Sequence, residues 1–304
     1  MKRKAIQLAN QTIVVSLPSK WVKQEGIKKG DDIDVQEKGK DLVISTDSSI
    51  NEKIEGEVNL INDSEITIGV LVGNLCSSGF DRIKINYNNE KQYNILQNIL
   101  RDKIIGFDVI KTEKNYCIIE NITEPSENQF DNILRKLFQN IEELFELTAK
   151  RLEGNNENTK LFYEVEDRIF KYESFCRRVI AKRRLPVKNT EMLLNFIMVL
   201  INAQRELYHL NKFLENNKIS VYSKELKKLL KDAYSMFGIL KECFFNRKIE
   251  PLGRIHETEN RIIKENLYPL LEKNNKKENV LVYHMGVCMR QLHLAASPLI
   301  GFIL

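Results

Sequence analysis

The chain has 304 residues, of which 42% are hydrophobic and 29% are charged, and its formal net charge at pH 7 is +5. This composition is ordinary for a globular protein and argues against intrinsic disorder, and the length allows two or three domains of about 100 to 150 residues each. The most apolar tail, residues 292–304, is interrupted by Ser297, Pro298 and Gly301. Because it is shorter than the roughly 20 residues that span a bilayer, we expect no membrane insertion.

The cysteines argue against both a disulfide framework and a zinc site. They are odd in number, widely spaced and never arranged as CxxC. We therefore expect reduced, mostly buried thiols and a cytoplasmic protein. The cysteines are Cys76, Cys117, Cys176, Cys243 and Cys288.

Positive charge is concentrated in the first 30 residues. Seven basic side chains stand against one acidic side chain, Glu25, which leaves this stretch with a net charge of +6. A solvated charged face is the plain interpretation of a basic run, and binding to a polyanion such as DNA is the functional one. The seven candidate DNA-binding residues are Lys2, Arg3, Lys4, Lys20, Lys23, Lys28 and Lys29.

Residues 1–46 predict a small unit of short strands and one short helix. A β-branched run at residues 13–17 ends at Pro18, which favours a strand followed by a helix from Ser19 to Glu25. Gly26 is expected to end the helix in the left-handed conformation, and short strands follow at residues 33–35 and 42–44. So small a unit cannot enclose a core alone, so we expect two chains to bury its apolar surface together as a homodimer.

This pattern resembles the swapped-hairpin AbrB/SpoVT DNA-binding domain over essentially all of residues 2–46. The resemblance implies intertwined dimers that bind double-stranded DNA through basic strand and loop residues, with Arg3, Lys20 and Lys23 at the DNA. Some members carry two adjacent arginines where this chain has Val22 and Lys23. Because lysine suits phosphates better than bidentate base contacts, we predict salt-sensitive binding with modest sequence selectivity.

Residues 50–122 predict a small α+β domain, with a ferredoxin-like arrangement as one option. Strand, helix, strand, helix and hairpin follow one another in this segment. It contains neither GxGxxG nor a P-loop, so nothing supports nucleotide binding and a structural or regulatory spacer is expected. The strands are expected at residues 54–61, 82–87, 104–110 and 116–119, and the helices at residues 63–75 and 90–101.

Residues 127–304 predict an all-helical domain built from two repeats. Apolar residues keep helical spacing throughout, and residues 164–171 (Glu-Val-Glu-Asp-Arg-Ile-Phe-Lys) reappear as residues 257–264 (Glu-Thr-Glu-Asn-Arg-Ile-Ile-Lys). The repeats, at about residues 127–215 and 220–304, are expected to form tandem three-helix bundles. The helices are expected at residues 130–152, 161–183, 191–214, 223–245, 252–271 and from 278 to the C-terminus.

The duplicated bundle resembles the PhoU family, and an AbrB-like domain ahead of PhoU repeats resembles the archaeal phosphate uptake regulators. PhoU-like proteins usually carry Glu-Arg-x-x-Asp-His on the third helix of each repeat, where the carboxylates help to bind metal clusters. Residues 204–209 read Gln-Arg-Glu-Leu-Tyr-His and residues 289–294 read Met-Arg-Gln-Leu-His-Leu, so both motif carboxylates are absent. The remaining acidic candidates, Glu164, Asp167 and Glu257, make a poor cage for a hard cation, and we expect neither a metal nor another cofactor.

Two further expectations concern the same helices. Acidic groups of the second helices are expected to pair with Arg205 and Arg290 on the third helices. The histidines lack a neighbouring cysteine or an HExxH spacing and are expected to be hydrogen-bonded core or surface residues rather than ligands. They are His209, His256, His284 and His293.

Together these patterns predict a DNA-binding transcriptional regulator of phosphate uptake or phosphate homeostasis, dimeric through its N-terminal domain. The first alternative is a signalling adaptor that docks on a phosphate transporter or its kinase without binding DNA. A third, an antitoxin, fits the N-terminal segment but leaves the long helical half unexplained. No Ser/His/Asp, Cys/His or paired-carboxylate arrangement stands out, so no catalysis is expected.

Overall fold

The structure is a computed structural model in which the chain forms two compact units, Met1–Lys53 and Ile54–Leu304. We call them the N-terminal unit and the C-terminal unit. The predicted N-terminal segment lies in the first, and the predicted middle and helical segments lie together in the second. The structure describes residues 2–8, 12–38, 41–46, 53–123, 127–154, 159–182, 185, 189–217, 222–273 and 276–304.

The N-terminal unit contains two antiparallel hairpins with a short helix between them in the chain. The helix and the second hairpin were predicted from the sequence, whereas the strand Ala5–Leu8 that completes the first hairpin was not. Ile6 pairs with Val14 in the first hairpin, and Val35 pairs with Ile44 in the second. Each hairpin is a separate two-stranded sheet, and such a sheet has little stability of its own in water. The elements are β1 (Ala5–Leu8), β2 (Thr12–Val15), α1 (Ser19–Gln24), β3 (Asp34–Lys38) and β4 (Asp41–Ser45).

Apolar side chains occupy both faces of the β1–β2 hairpin. Because side chains alternate along a strand, Ile6 and Leu8 lie on one face, while Ile13 and Val15 lie on the other. All four are exposed, as are Val35, Leu42 and Ile44 of the second hairpin. None of the apolar side chains in this unit whose exposure the structure describes is buried.

The C-terminal unit begins with a four-stranded sheet covered by two helices, which we call the sheet module. Its strand order is β5-β6-β8-β7, with β5 parallel to β6 and the other pairs antiparallel. A ferredoxin-like arrangement is therefore wrong: there, a third strand lies between the two strands of a βαβ unit, whereas β5 and β6 are direct neighbours. The elements are β5 (Glu55–Asn59), α2 (Glu65–Ser77), β6 (Arg82–Asn86), α3 (Glu90–Lys103), β7 (Phe107–Thr112) and β8 (Tyr116–Asn121).

Long helices form the rest of the C-terminal unit, and we call this part the helical bundle. One continuous apolar core runs through it, and all five cysteines of the chain are free and buried, as predicted. No helix in the described part of the chain is long and apolar enough to span a bilayer. The helices are α4 (Glu127–Leu152), α5 (Thr159–Ala181), α6 (Thr190–Asn217), α7 (Lys224–Asn246), α8 (Gly253–Ile262), α9 (Tyr268–Glu272) and α10 (Lys276–Ile303).

One predicted helix, residues 252–271, is interrupted. A π-helical segment, Ile263–Leu267, separates α8 from α9, and Pro269 lies in the first turn of α9. Proline has no amide hydrogen and its ring clashes with the carbonyl four residues earlier, so a regular helix cannot continue through it. The regular α-helix therefore ends before Pro269, and a wider π turn follows it. A new helix, α9, then begins with Pro269 in its first turn, where the missing amide hydrogen costs no hydrogen bond.

A buried ion pair fastens the sheet module to the bundle. Arg178 on α5 places Nη2 2.7 Å from Oδ1 of Asp81, and the two side chains are 4% and 8% exposed. Arg178 Nη1 also donates to the carbonyls of Cys76 and Phe80, and Lys182 Nζ lies 2.5 Å from Asp81 Oδ2. Burial opposes ionisation of Asp81, but hydrogen bonds from Lys182, the Ile54 amide and Arg178 outweigh it and lower its pKa.

Candidate nucleic-acid interface

The short helix α1 is fixed at both ends by backbone hydrogen bonds. Val22 N donates to Pro18 O at 2.9 Å, and Ile27 N donates to Val22 O at 3.0 Å. Gly26 has φ of +67°, so the predicted left-handed helix end is confirmed as a Schellman motif. These bonds hold one turn of helix on which Lys20 and Lys23, three residues apart, share a face.

Two more lysines lie in a tight turn directly after α1. Lys28 N donates to Asp31 Oδ2 at 2.7 Å, and Asp31 N donates to Lys28 O at 3.2 Å. Gly30 has φ of +98°, a conformation that favours glycine. The turn is therefore closed by the backbone of Lys28 and the carboxylate of Asp31, which leaves the side chains of Lys28 and Lys29 exposed.

All seven predicted DNA-binding side chains are exposed, three at the N-terminus, two on α1 and two in the turn. None of the seven forms a side-chain ion pair or hydrogen bond with any residue that the structure describes. Lysine ammonium groups on flexible stems suit the phosphates of a nucleic acid. The unit therefore presents seven basic side chains that have no ion-pair partner among the residues that the structure describes.

The three residual metal candidates have different surroundings: Glu164 and Asp167 lie one turn apart on α5 with different lysine partners, and Glu257 lies on α8. Glu164 is half exposed with its Oε1 3.8 Å from Lys160 Nζ, and Asp167 is 3.2 Å from Lys103 Nζ of the sheet module. Glu257 is exposed on α8, in the other repeat. Within the described ranges, no group of three or more His, Cys, Asp or Glu side chains is arranged to hold a metal ion.

Two acidic residues that contact neighbouring helices of the bundle, Glu166 and Glu259, were not predicted from the sequence. Glu166 accepts a hydrogen bond from Gln204 Nε2 at 3.4 Å, and burial raises its pKa to about 7. Its repeat counterpart Glu259 is buried, 3.3 Å from His293 Nδ1 and 3.8 Å from Arg290 Nη2. Both glutamates are third in the repeated eight-residue segment, and each has a buried apolar residue four positions before it and another three positions after it. That helical spacing is the signal that could have identified them. The buried residues are Phe162 and Ile169 around Glu166, and Ile255 and Ile262 around Glu259.

Arg290 thus faces an acidic residue of α8, Glu259, as expected, whereas the predicted pairing of Arg205 is not found among the residues that the structure describes. Three of the four histidines, His256, His284 and His293, are hydrogen-bonded as expected, whereas His209 packs against the rings of Tyr208 and His284. His284 Nδ1 lies 2.8 Å from Glu206 Oε2, and His293 Nε2 lies 2.5 Å from His256 Nδ1. These contacts link helices of the bundle and give the histidines structural partners.

Comparison with known families agrees with the geometry of the N-terminal unit. Residues 6–51 match the family described as antidote-toxin recognition MazE, bacterial antitoxin. The match spans α1 and nearly all of both hairpins, so this end of the chain is similar to a MazE/AbrB-like domain. It does not extend into the C-terminal unit. Neither the curated proteins nor the solved structures contain a match to the chain.

Proposed function

We propose that this chain is a DNA-binding transcriptional regulator that is dimeric through its N-terminal unit. The observation that supports this most directly is the combination of seven exposed basic side chains without described ion-pair partners and a match to the MazE family over hairpins whose described apolar side chains are exposed or only partly buried. Pairing two copies would cover the exposed apolar faces of the hairpins. It would also place two sets of cations on one assembly, in keeping with the twofold symmetry of duplex operators.

Phosphate contacts would supply most of the affinity in this proposal. Each lysine that neutralises a phosphate releases a counterion, so the affinity should fall steeply as the salt concentration rises. Lys20 and Lys23 share one face of α1, and Arg3 is the single arginine among the seven candidates. Base readout by bidentate arginine contacts is therefore limited, and the proposal includes only modest sequence selectivity.

We further propose that the regulated process is phosphate uptake, with the helical bundle relaying phosphate status. The support is the resemblance of the duplicated bundle to PhoU and of the domain order to the archaeal phosphate uptake regulators. No catalytic step is part of the proposal. Transcript levels of phosphate transporter genes, measured in cells with and without the gene under phosphate limitation, should differ several-fold. Unchanged transcripts would remove the phosphate part of the proposal and leave the DNA-binding part in place.

The DNA-binding part is tested by fluorescence anisotropy with a labelled duplex from the region upstream of the gene. The test variant carries Lys20→Glu and Lys23→Glu, and the matched control carries Lys228→Glu and Lys231→Glu, which have the same spacing on the exposed face of α7. Wild type and control should bind with the same steep salt dependence. Since a dimer loses four phosphate contacts, the test variant should lower the log–log salt slope by up to about 4.

Absent or salt-independent binding by the wild type would contradict DNA recognition and favour the adaptor alternative, in which the bundle docks on a phosphate transporter or its kinase. The matched family's description as a bacterial antitoxin supports a second candidate function, neutralisation of a toxin. Co-purification of a small partner encoded next to the gene, together with growth arrest when that partner is expressed alone, would support the antitoxin reading.

A further inference from the structure

A cavity of about 130 Å³ lies where the beginnings of α4 and α6 meet the ends of α7 and α10. Its floor is apolar and its mouth is charged. The mouth is formed by Asp131, Arg135 and Arg247, all exposed. Six buried side chains form the floor: Phe130, Leu134, Leu185, Leu193, Phe244 and Phe302.

The two arginines at the mouth are held by aromatic rings rather than by carboxylates. The guanidinium carbon of Arg247 lies 4.2 Å from the centroid of Phe302, and that of Arg135 lies 4.5 Å from the centroid of Phe245. Neither guanidinium donates a hydrogen bond to any residue in the described part of the chain. Stacking on a ring fixes the plane of a guanidinium and leaves its N–H edge available to an acceptor.

The backbone also holds Arg247 in place. Arg247 is the C-cap of α7 in the left-handed conformation, with φ of 53°, and its amide donates to the Cys243 carbonyl. Burial lowers the pKa of Arg247, and the negative charge of Asp131 opposes that effect. Partial desolvation of the guanidinium has an electrostatic cost, which an anionic ligand at the mouth would offset.

We propose that this cavity is a binding site for a small organic carboxylate, with Arg135 and Arg247 holding the carboxylate and the buried phenylalanines holding a compact apolar body. Two arginines and one aspartate leave the mouth with one net positive charge, which matches a monoanion. The volume is close to the roughly 150 Å³ of an apolar cavity that accepts benzene. This site does not depend on the proposed DNA-binding function.

Benzoate is the probe, because it combines one carboxylate with an apolar body of the required size. Isothermal titration of the full-length wild type should give saturable binding with a dissociation constant of about a millimolar or tighter. Benzamide keeps the ring and removes the charge, and acetate keeps the charge and removes the ring. Each should bind at least about tenfold more weakly, since one loses the charged hydrogen bonds and the other loses the apolar burial.

The double variant Arg135→Gln, Arg247→Gln should weaken benzoate binding by at least about tenfold. The matched control Lys136→Gln, Lys248→Gln removes two positive charges from the neighbouring exposed positions and should change the dissociation constant by less than about twofold. Circular dichroism should show both variants folded, because all four residues are exposed. Absence of saturable benzoate binding by the wild type would overturn the proposal, and so would equal losses in the two double variants.

Discussion

The two units of this chain bury their apolar residues in opposite ways. In the C-terminal unit, Phe138 and Phe196 are completely buried within one aromatic cluster, and the sheet module has its own closed core. In the N-terminal unit, apolar side chains on both faces of the β1–β2 hairpin are exposed, and Trp21 is only partly buried. A hairpin that is apolar on both faces needs a second layer on each side. The C-terminal unit is therefore expected to fold from its own contacts, and the N-terminal unit only with a partner.

The largest expected effect is loss of the buried charge that joins the sheet module to the bundle. Asp81→Ala should lower the free energy of unfolding by about 3 to 5 kcal/mol, because it leaves the nearly inaccessible guanidinium of Arg178 without its carboxylate. Urea unfolding followed by the helical circular dichroism signal measures this loss. Since the pKa of Asp81 is lowered, the wild type keeps this stabilisation above the unfolded pKa of about 4 and loses it as the pH falls below that value, whereas the variant lacks it throughout.

Asp102→Ala is the matched control for this prediction. Asp102 pairs with Arg101 at 2.8 Å, but the two side chains are about half exposed or more, so the substitution should cost less than about 1 kcal/mol. Similar losses in the two variants would show that the Asp81 pair is not a main connection between the sheet module and the bundle. The self-sufficiency of the C-terminal unit would then have to come from its apolar cores alone.

The sequence predicts local features of the fold well and long-range ones poorly. The helix end at Gly26 and the helices of the bundle are determined by residues close together in the sequence, so both could be predicted. The strand order β5-β6-β8-β7 depends on which strands pair with one another, which the local sequence does not determine. Asp81 and Arg178, which form the buried ion pair, are 97 residues apart in the sequence. Periodicity does not encode such pairings, and neither the π segment before Pro269 nor the cavity at the bundle end was predicted.

The candidate site residues also divide into local features that could be predicted and long-range ones that could not. The exposure of the basic side chains could be predicted, because the unit that carries them is too small to bury charged groups. Glu166 was missed because Glu164 and Asp167 are acidic neighbours in the same helical turn, and only packing against Gln204 on another helix distinguishes them. Burial by a distant element is a tertiary effect that one helix cannot reveal.

A polar substitution in the N-terminal unit tests its dependence on a partner. Ile13 is 69% exposed within one protomer, so Ile13→Asp costs little if the protomer stands alone. If the hairpin is covered in a dimer, the buried charge should weaken association by about 2 to 3 kcal/mol. Sedimentation equilibrium measures the dimer dissociation constant. Ile61→Asp, at a 76% exposed position of the C-terminal unit, is the control, and equal effects at the two sites would remove the contrast between the units.

The C-terminal unit also contains a carboxylic acid, Glu166, whose ionised form is destabilised by burial. Because the pKa of Glu166 is raised to about 7, the folded wild type retains a proton that the unfolded chain releases near pH 4.5. Its stability should fall as the pH rises between these values and level off above about 7, by about 1 to 3 kcal/mol in total. Glu166→Gln should remove this dependence. Urea unfolding between pH 4 and pH 8 measures it, and Glu164→Gln, an exposed neighbour, should leave the slope unchanged.

The smallest expected effect separates the units most cleanly. Ser223 caps α7 by accepting a hydrogen bond from Leu226 N at 3.1 Å, so Ser223→Ala should lower the stability of the C-terminal unit by about 1 kcal/mol, and Ser223→Thr should restore most of it. A helix cap acts within its own turn, so neither variant should change the dimer dissociation constant of the full chain. If Ser223→Ala weakened dimerisation as strongly as Ile13→Asp, the helical bundle would itself belong to the dimer interface, and the N-terminal unit would not be the sole site of association.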